Sequence, residues 1–343
     1  MPGIGPAGFA QLIRRYGSAA EAWSTGVERE PDRDPRDVVT LLDRRTRAAG
    51  GRIVTGLDDE YPLALRNLDP RPPTLFVAGD GTAFATRAVA IVGTRRASGY
   101  GLTVAAELAD ELGRAGVAVV SGLALGIDGA AHRAAIRAGA RTIAVLPSPL
   151  DRVYPPRHRS LAREIVRTGG ALVTELAVGT AVGRPDFARR NRIIAGLAEA
   201  VVVVEAPDRS GALLTASAAI AIGRELYAVP GPIDALASRG CNRLIADHDA
   251  EVVTSVTAVM RVIGMPRDVR PPAVSALSEV EGQLLRHLLE RSGSIEELID
   301  RTGHPPASVA SALSLLESRG LVNPFGGATF HPTLAAKRLA RVV

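Results

Sequence analysis

Between Ile53 and about Val259 of this 343-residue chain, short β-branched and apolar runs alternate with helix-length segments, and this alternation most restricts the fold. The strand candidates are Ile53–Thr55, Thr74–Val77, Val89–Val92, Val117–Val120, Thr142–Leu146, Ala171–Thr174, Val201–Glu205 and Leu226–Val229. Helical patterning falls between them at Leu102–Ala115, Gly126–Ala138, Arg157–Arg167, Arg190–Ala198 and Leu213–Gly223. The later strand candidates are continuously apolar, as strands buried on both faces of a parallel sheet must be. Repeated β-α units predict an α/β fold with a Rossmann-like, doubly wound, mostly parallel sheet. Ligands of such sheets bind outside the carboxyl ends of the strands.

The flanks differ. Residues 1–50 read as a small helical domain of the SAM or helix-hairpin-helix kind, with helices over Phe9–Tyr16 and Val38–Ala49. Its Gly3-Ile4-Gly5-Pro6 turn serves either packing or a backbone contact to phosphate. The sheet domain is expected over 51–260 and a Pro-rich linker over 261–276. Residues 277–343 contain three helical segments and a hairpin around Gly326-Gly327, the pattern of a winged helix. Its third helix, Pro305–Arg319, carries one terminal arginine, so a protein contact or a packing role fits it at least as well as DNA reading.

Composition limits the partners. The formal charge is +5, compatible with a polyanion, and Lys337 is the sole lysine, so only the clustering of arginines carries information. Cys241 is the only cysteine, which excludes an intrachain disulfide and a Cys-based zinc site. No secretory pattern or run of about 18 apolar residues is present, so no membrane span and a cytoplasmic location are expected.

The chemistry gathers at strand ends. Phe187-Ala188-Arg189-Arg190-Asn191-Arg192 places three guanidinium groups beside one aromatic ring, a combination that grips phosphates and stacks a base. Ahead of it lies Arg184. Gly93-Thr94-Arg95-Arg96 ends one strand before a helix opening near Ser98; Gly93 makes either a tight turn or an anion seat. Ser121-Gly122 through Gly126 and Gly129 repeats the design without a dinucleotide fingerprint or a Walker loop. Asp128 and His132 are four apart, either an acid–base pair or hydrogen bonds that pin the loop. A third turn holds Glu205, Ser210, Gly211 and Thr215. Glu205 is either catalytic or, as preferred, an orienting partner for an arginine of the 189–192 cluster. Asn242 serves as a helix cap or a phosphate ligand. Asp128, Glu175 and Glu205 lie one per loop among more numerous arginines, a rim suited to binding an anion. No metal cluster or nucleophile–base pair of a nuclease emerges.

These motifs, in this order, resemble the DprA/Smf family of bacterial DNA-processing proteins. Carrying the resemblance are Ile91-Val92-Gly93-Thr94-Arg95, Ser98–Gly101, Ser121-Gly122-Leu123-Ala124, Gly126-Ile127-Asp128, Ala131-His132, Asp151, Tyr154-Pro155, Phe187, Arg190-Asn191-Arg192, Glu205, Ser210-Gly211, Thr215-Ala216 and Asn242-Arg243. The resemblance implies a basic pocket for single-stranded DNA in the sheet domain, without catalysis or cofactor. It implies protection of incoming DNA and loading of the RecA recombinase in natural transformation and recombination, by a homodimer joined through the sheet domain. It further implies that Arg95 and Arg184 line the pocket, Phe187 stacks a base, Arg190 and Arg192 hold phosphates or the pocket wall, and the loops at Gly93 and Gly122–Gly126 supply backbone amides. Leu146-Pro147-Ser148-Pro149 departs from a Gly-rich turn usual in the family and removes two amide donors. The alternative is a nucleotide-processing hydrolase of the same fold superfamily. Its Pro-Gly-Gly-x-Gly-Thr loop has no match here, since Pro230-Gly231-Pro232 cannot form it.

Overall fold

Strands with no polar face have to be covered on both sides, and the alternating helices supply that cover. A computed structural model of the protein describes residues 6–25, 34–264, 277–325, 329–333 and 336. Gly3 to Gly5, linker residues 265–276, the Gly326-Gly327 hairpin tip and Lys337 lie outside the described residues. Contacts divide the chain into two units, Met1–Arg267 and Asp268–Val343, and the N-terminal helices fall in the first.

In the first unit, helices α1 (Pro6–Tyr16), α2 (Ala19–Ser24) and α3 (Pro35–Ala48) lead into β1 (Gly51–Thr55) and β2 (Thr74–Gly79). Alternation then begins: β3 (Ala88–Val92), α4 (Gly99–Arg114), β4 (Ala118–Ser121), α5 (Ile127–Arg137), β5 (Thr142–Val145), α6 (Arg159–Arg167) and β6 (Ala171–Thr174). It continues with α7 (Arg184–Leu197), β7 (Ala200–Val203), α8 (Gly211–Ala221), β8 (Glu225–Ala228), α9 (Arg239–Ala246), β9 (Glu251–Val252) and α10 (Val256–Val262). All eight expected strands are present. Every residue of β3, β4, β5, β6 and β7 is buried, as the unbroken apolar runs require.

The nine strands form one sheet in the order β1-β2-β6-β5-β4-β3-β7-β8-β9. Pairing is parallel from β6 through β9, while β2 runs antiparallel to both β1 and β6. The chain winds outward from β3 to β6, then returns to lay β7 on the other side of β3. The topological switch point is therefore the β3/β7 seam, and the loops that follow these strands share one rim.

Helix α7 begins at Arg184, not at Arg190 as the apolar pattern predicted. Pro185 occupies its first turn, and Asp186 accepts the Gly183 amide at 2.8 Å, so capping chemistry extends the helix beyond its apolar stripe. Phe187, Arg190 and Asn191 thus lie on a helix.

The second unit holds α11 (Glu279–Glu290), β10 (Gly293–Ser294), α12 (Ile295–Thr302), α13 (Pro306–Ser318), β11 (Val322–Phe325) and β12 (Thr329–Pro332), a winged helix. Ser278 with Glu281, and Ser294 with Glu297, form capping boxes that start α11 and α12. Leu284, Leu288, Leu298, Val309, Leu313 and Leu316 make its core. The exposed positions of α13 include Ala307, Ala310, Ser311, Ser314, Leu315 and Glu317, with no cation among them.

Ile91 sits with no exposed surface in β3, the strand both halves of the sheet share. Ile91→Ala should cost about 2–5 kcal/mol, measured by urea denaturation.

Candidate nucleic-acid interface

At the switch point the helix terminus that commonly receives a phosphate is already filled. Glu205 follows β7, and its carboxylate accepts the Ser98 amide at 2.9 Å and the Ser98 hydroxyl at 2.5 Å, at the N-terminus of α4. A Cβ on Gly101 would collide with the Glu205 carboxylate. The Glu205 carbonyl takes the Thr94 amide at 2.7 Å, and the Thr94 hydroxyl takes the Arg96 amide at 3.2 Å. Glu205 therefore orients a serine and a helix end, and does not orient an arginine of the 189–192 cluster.

The next loop is filled in the same way. Asp128 accepts the amides of Gly122 at 3.1 Å and Ala124 at 3.2 Å. These amides, expected to meet a phosphate, are held by an internal carboxylate instead. Gly126 has φ +76°, and a Cβ there would strike the Thr94 carbonyl, so this glycine lets the two loops touch. Asp128 pins the loop, whereas His132 turns elsewhere: its Nδ1 lies 2.7 Å from the Thr142 hydroxyl, which itself donates to the Val119 carbonyl. Burial brings His132 down to about 3, so it stays neutral.

Arg190 is 8% exposed and lies against Gly122, where any Cβ would meet its guanidinium. It donates to the Val145 carbonyl at 2.5 Å, while its Nε has no partner among the described residues. Burial lowers its pKa to about 10, against the opposing pull of Asp128, and it remains charged at neutral pH. Burial likewise raises Asp128, against the influence of Arg190 and the two amides.

Above Arg190 opens a cleft of about 80 Å³, lined by Arg95, Gly122, Ala124, Leu125, Pro147, Tyr154, Pro155, Phe187 and Arg190. The Arg95 guanidinium lies 5.2 Å from the Phe187 ring centroid, a cation–π contact. Tyr154 meets the same ring edge-on, at 5.4 Å and 87°. Arg95, Arg96 and Arg184 are exposed, with no ion-pair partner among the described residues, and Arg189 pairs with Asp186 at 3.3 Å. A wider, shallower groove of about 470 Å³ runs past Arg45, Asp151 and Gly179, but its opposed charges give no convergent set.

Other expected ligands are engaged inside the fold. Arg192 donates to Glu175 at 2.5 Å and to the Pro70 carbonyl at 2.6 Å, so Glu175 is the carboxylate that orients an arginine. Asn191 donates to the Gly211 carbonyl, and the Ser121 hydroxyl to the Ile91 carbonyl. Thr215 is buried, Ser210 caps α8, and Gly211 opens its first turn, exposed. Asn242 is neither a cap nor a free ligand. It lies inside α9 and exchanges two hydrogen bonds with the backbone of Gly231, at 3.1 and 3.0 Å. Of the cleft walls, Pro147, Tyr154 and Pro155 were not among the candidate ligands, although the Tyr154-Pro155 step marked a motif.

Comparison with known proteins places the chain. A family model described as DNA recombination-mediator protein A matches residues 52–264, and one for the DprA winged helix domain matches 269–328. The chain belongs to the DprA/Smf family. A putative DNA processing protein DprA of Mycobacterium tuberculosis is 40% identical over 93% of this chain and 85% of its own length. The X-ray structure of DNA processing protein A from Streptococcus pneumoniae aligns with TM-score 0.66 and 30% identity, over 76% of this chain and 93% of that one. DprA from Helicobacter pylori, whose structure was described for a unique single-stranded DNA binding mode, aligns with TM-score 0.57 and 28% identity, over 63% and 97%. No helix among the described residues is long and apolar enough to cross a membrane.

The Arg192–Glu175 pair is nearly buried, with side chains 14% and 10% exposed. Arg192→Ala should cost about 3–5 kcal/mol by stranding a carboxylate. Burial already raises Glu175 above its usual 4.5, and Arg192 opposes that rise. In the variant the folded protein holds the Glu175 proton more tightly than the unfolded chain does. The deficit should therefore be full above the raised value and shrink as pH falls through it, read from denaturation midpoints at several pH values.

Proposed function

We propose that the cleft between Arg95, Phe187 and Arg190 takes a segment of single-stranded DNA. The carrying observation is how charge is distributed on the rim. Asp128, Glu175 and Glu205 are all consumed by internal partners, while Arg95, Arg96 and Arg184 stay exposed and Arg95 lies over the Phe187 ring. That arrangement attracts a polyanion and offers a π-face, which suits an unstacked strand better than a duplex. On this reading a base takes the place of Arg95 on the Phe187 face, and Arg95 turns to the adjoining phosphate. Arg190, held beneath Gly122, supplies fixed positive potential, and Arg184 meets the strand as it leaves. Backbone amides play little part, since the loop carboxylates hold them. The relationship to the Helicobacter pylori protein supports this choice of ligand.

The protein's wider role follows as part of the same proposal. It binds without cutting, shelters the strand, and passes it to the RecA recombinase during transformation and recombination. Homodimerisation through the sheet unit is supported by apolar side chains left in water near β8: Ile233 is 91% exposed and Leu236 66%.

Labelled oligo-dT and a matched duplex, titrated with protein at several salt concentrations, test the reading. The single strand should bind more tightly, with affinity falling as salt rises. Equal affinity for both forms would reject it. Arg95→Ala and Arg184→Ala should each reduce the salt slope by about 0.7. Phe187→Ala should weaken binding by about 1–3 kcal/mol while leaving the slope unchanged. Stimulation of RecA's DNA-dependent ATPase by the wild type, lost in Arg95→Ala, would support the hand-over; no stimulation would reject that part.

A further inference from the structure

The cleft floor is a loop whose central residue stands in an unusual conformation. Leu123 has φ +56° with its side chain fully buried, in the left-handed region that residues other than glycine seldom adopt. Something has to hold it there. Asp128 holds the amides on either side, at Gly122 and Ala124. The Leu123 carbonyl is held by His158, whose Nδ1 lies 2.8 Å away.

His158 belongs to the opposite wall. It follows Tyr154 and Pro155, both of which line the cleft, and its amide donates to the Pro155 carbonyl at 2.9 Å. His158 is 4% exposed. The Arg133 guanidinium lies 3.3 Å from His158 Nε2. Arginine offers only donors, so Nε2 accepts and the proton resides on Nδ1, aimed at Leu123. The sequence has already made room for this ring. A Cβ on Gly129 would stand 2.6 Å from His158 Cε1, so the last glycine of the Gly122-x-x-x-Gly126-x-x-Gly129 spacing admits the imidazole.

We propose that His158 is a positioning residue for the DNA cleft: through one hydrogen bond to the Leu123 carbonyl it fixes the floor loop 122–125 against the wall formed by Tyr154 and Pro155. This rests on the proposed single-strand binding. His158 does not touch the strand; it keeps floor and wall at one separation.

Two isosteric substitutions separate the bond from the bulk. In His158→Asn the amide nitrogen falls near the position of Nδ1 and restores donation to Leu123. In His158→Gln it falls nearer Nε2 and does not. With full-length protein, oligo-dT affinity should drop about tenfold in His158→Gln and stay near wild type in His158→Asn. Amide hydrogen exchange over residues 122–125, measured without DNA, should quicken in His158→Gln and in Gly129→Ala but not in His158→Asn. Equal affinity and equal exchange in the Asn and Gln variants would overturn the proposal, whether both matched wild type or both fell. If the wild type fails to bind oligo-dT, the binding reading falls, while the exchange data still decide whether His158 fixes the loop.

Discussion

A guanidinium carried inside a protein must bring its own compensation, and Arg190 determines much of what surrounds it. Its charge is desolvated, so the first turn of α5 supplies Asp128 as counter-charge and β5 supplies the Val145 carbonyl. Its volume requires a residue with no side chain at 122. Asp128 in turn gathers the Gly122 and Ala124 amides, which shapes the loop after β4. Helix α7 must start early enough to bring residue 190 beneath that loop, and Pro185 with Asp186 ensures it. One buried cation thus ties together the ends of β4 and β5, the start of α5 and helix α7. The cleft is the space left above it.

The alternation of strands and helices was legible because burial on both faces leaves an unbroken apolar trace, and all eight expected strands form. Edge strand β9 left no such trace, since it is two residues long and exposed. Helix α9 is short, and from sequence its Asn242 reads only as a helix cap or a phosphate ligand. Within the rim, residue types were legible but partners were not. Glu175 and Glu205 both end buried strands in similar sequence surroundings. Strand order alone decides that Glu175 faces Arg192, whereas Glu205 faces Ser98 across a separation of 107 residues. No local window contains that information. The arginine-and-aromatic cluster was conspicuous, yet helical geometry sends Arg190 inward and Arg192 toward Pro70, and leaves Arg189 on the surface.

Both units start helices with local caps, and the sheet unit adds long-range support at two of them. In the winged helix unit, serine and glutamate at fixed spacing close capping boxes, readable three residues at a time. In the sheet unit α7 and α8 are likewise capped locally, but two helix ends at the rim also draw on distant groups: Glu205 supports Ser98 at α4, and Gly126 at the start of α5 leans on the Thr94 backbone. The rim is consequently cooperative. A change at one loop is felt at its neighbours, whereas the winged helix unit absorbs changes within single helices.

Glu205 has a consequence for competition. An open helix terminus at the switch point is a ready seat for the phosphates of free mononucleotides. Here that terminus is occupied through hydrogen bonds to Glu205, a side chain of the protein itself that cannot diffuse away. The remaining cleft sits one loop over and offers dispersed cations with few free amides, an arrangement that rewards several linked phosphates far more than one. On the proposed reading, selectivity for polymer over monomer is set by the sheet before any strand arrives.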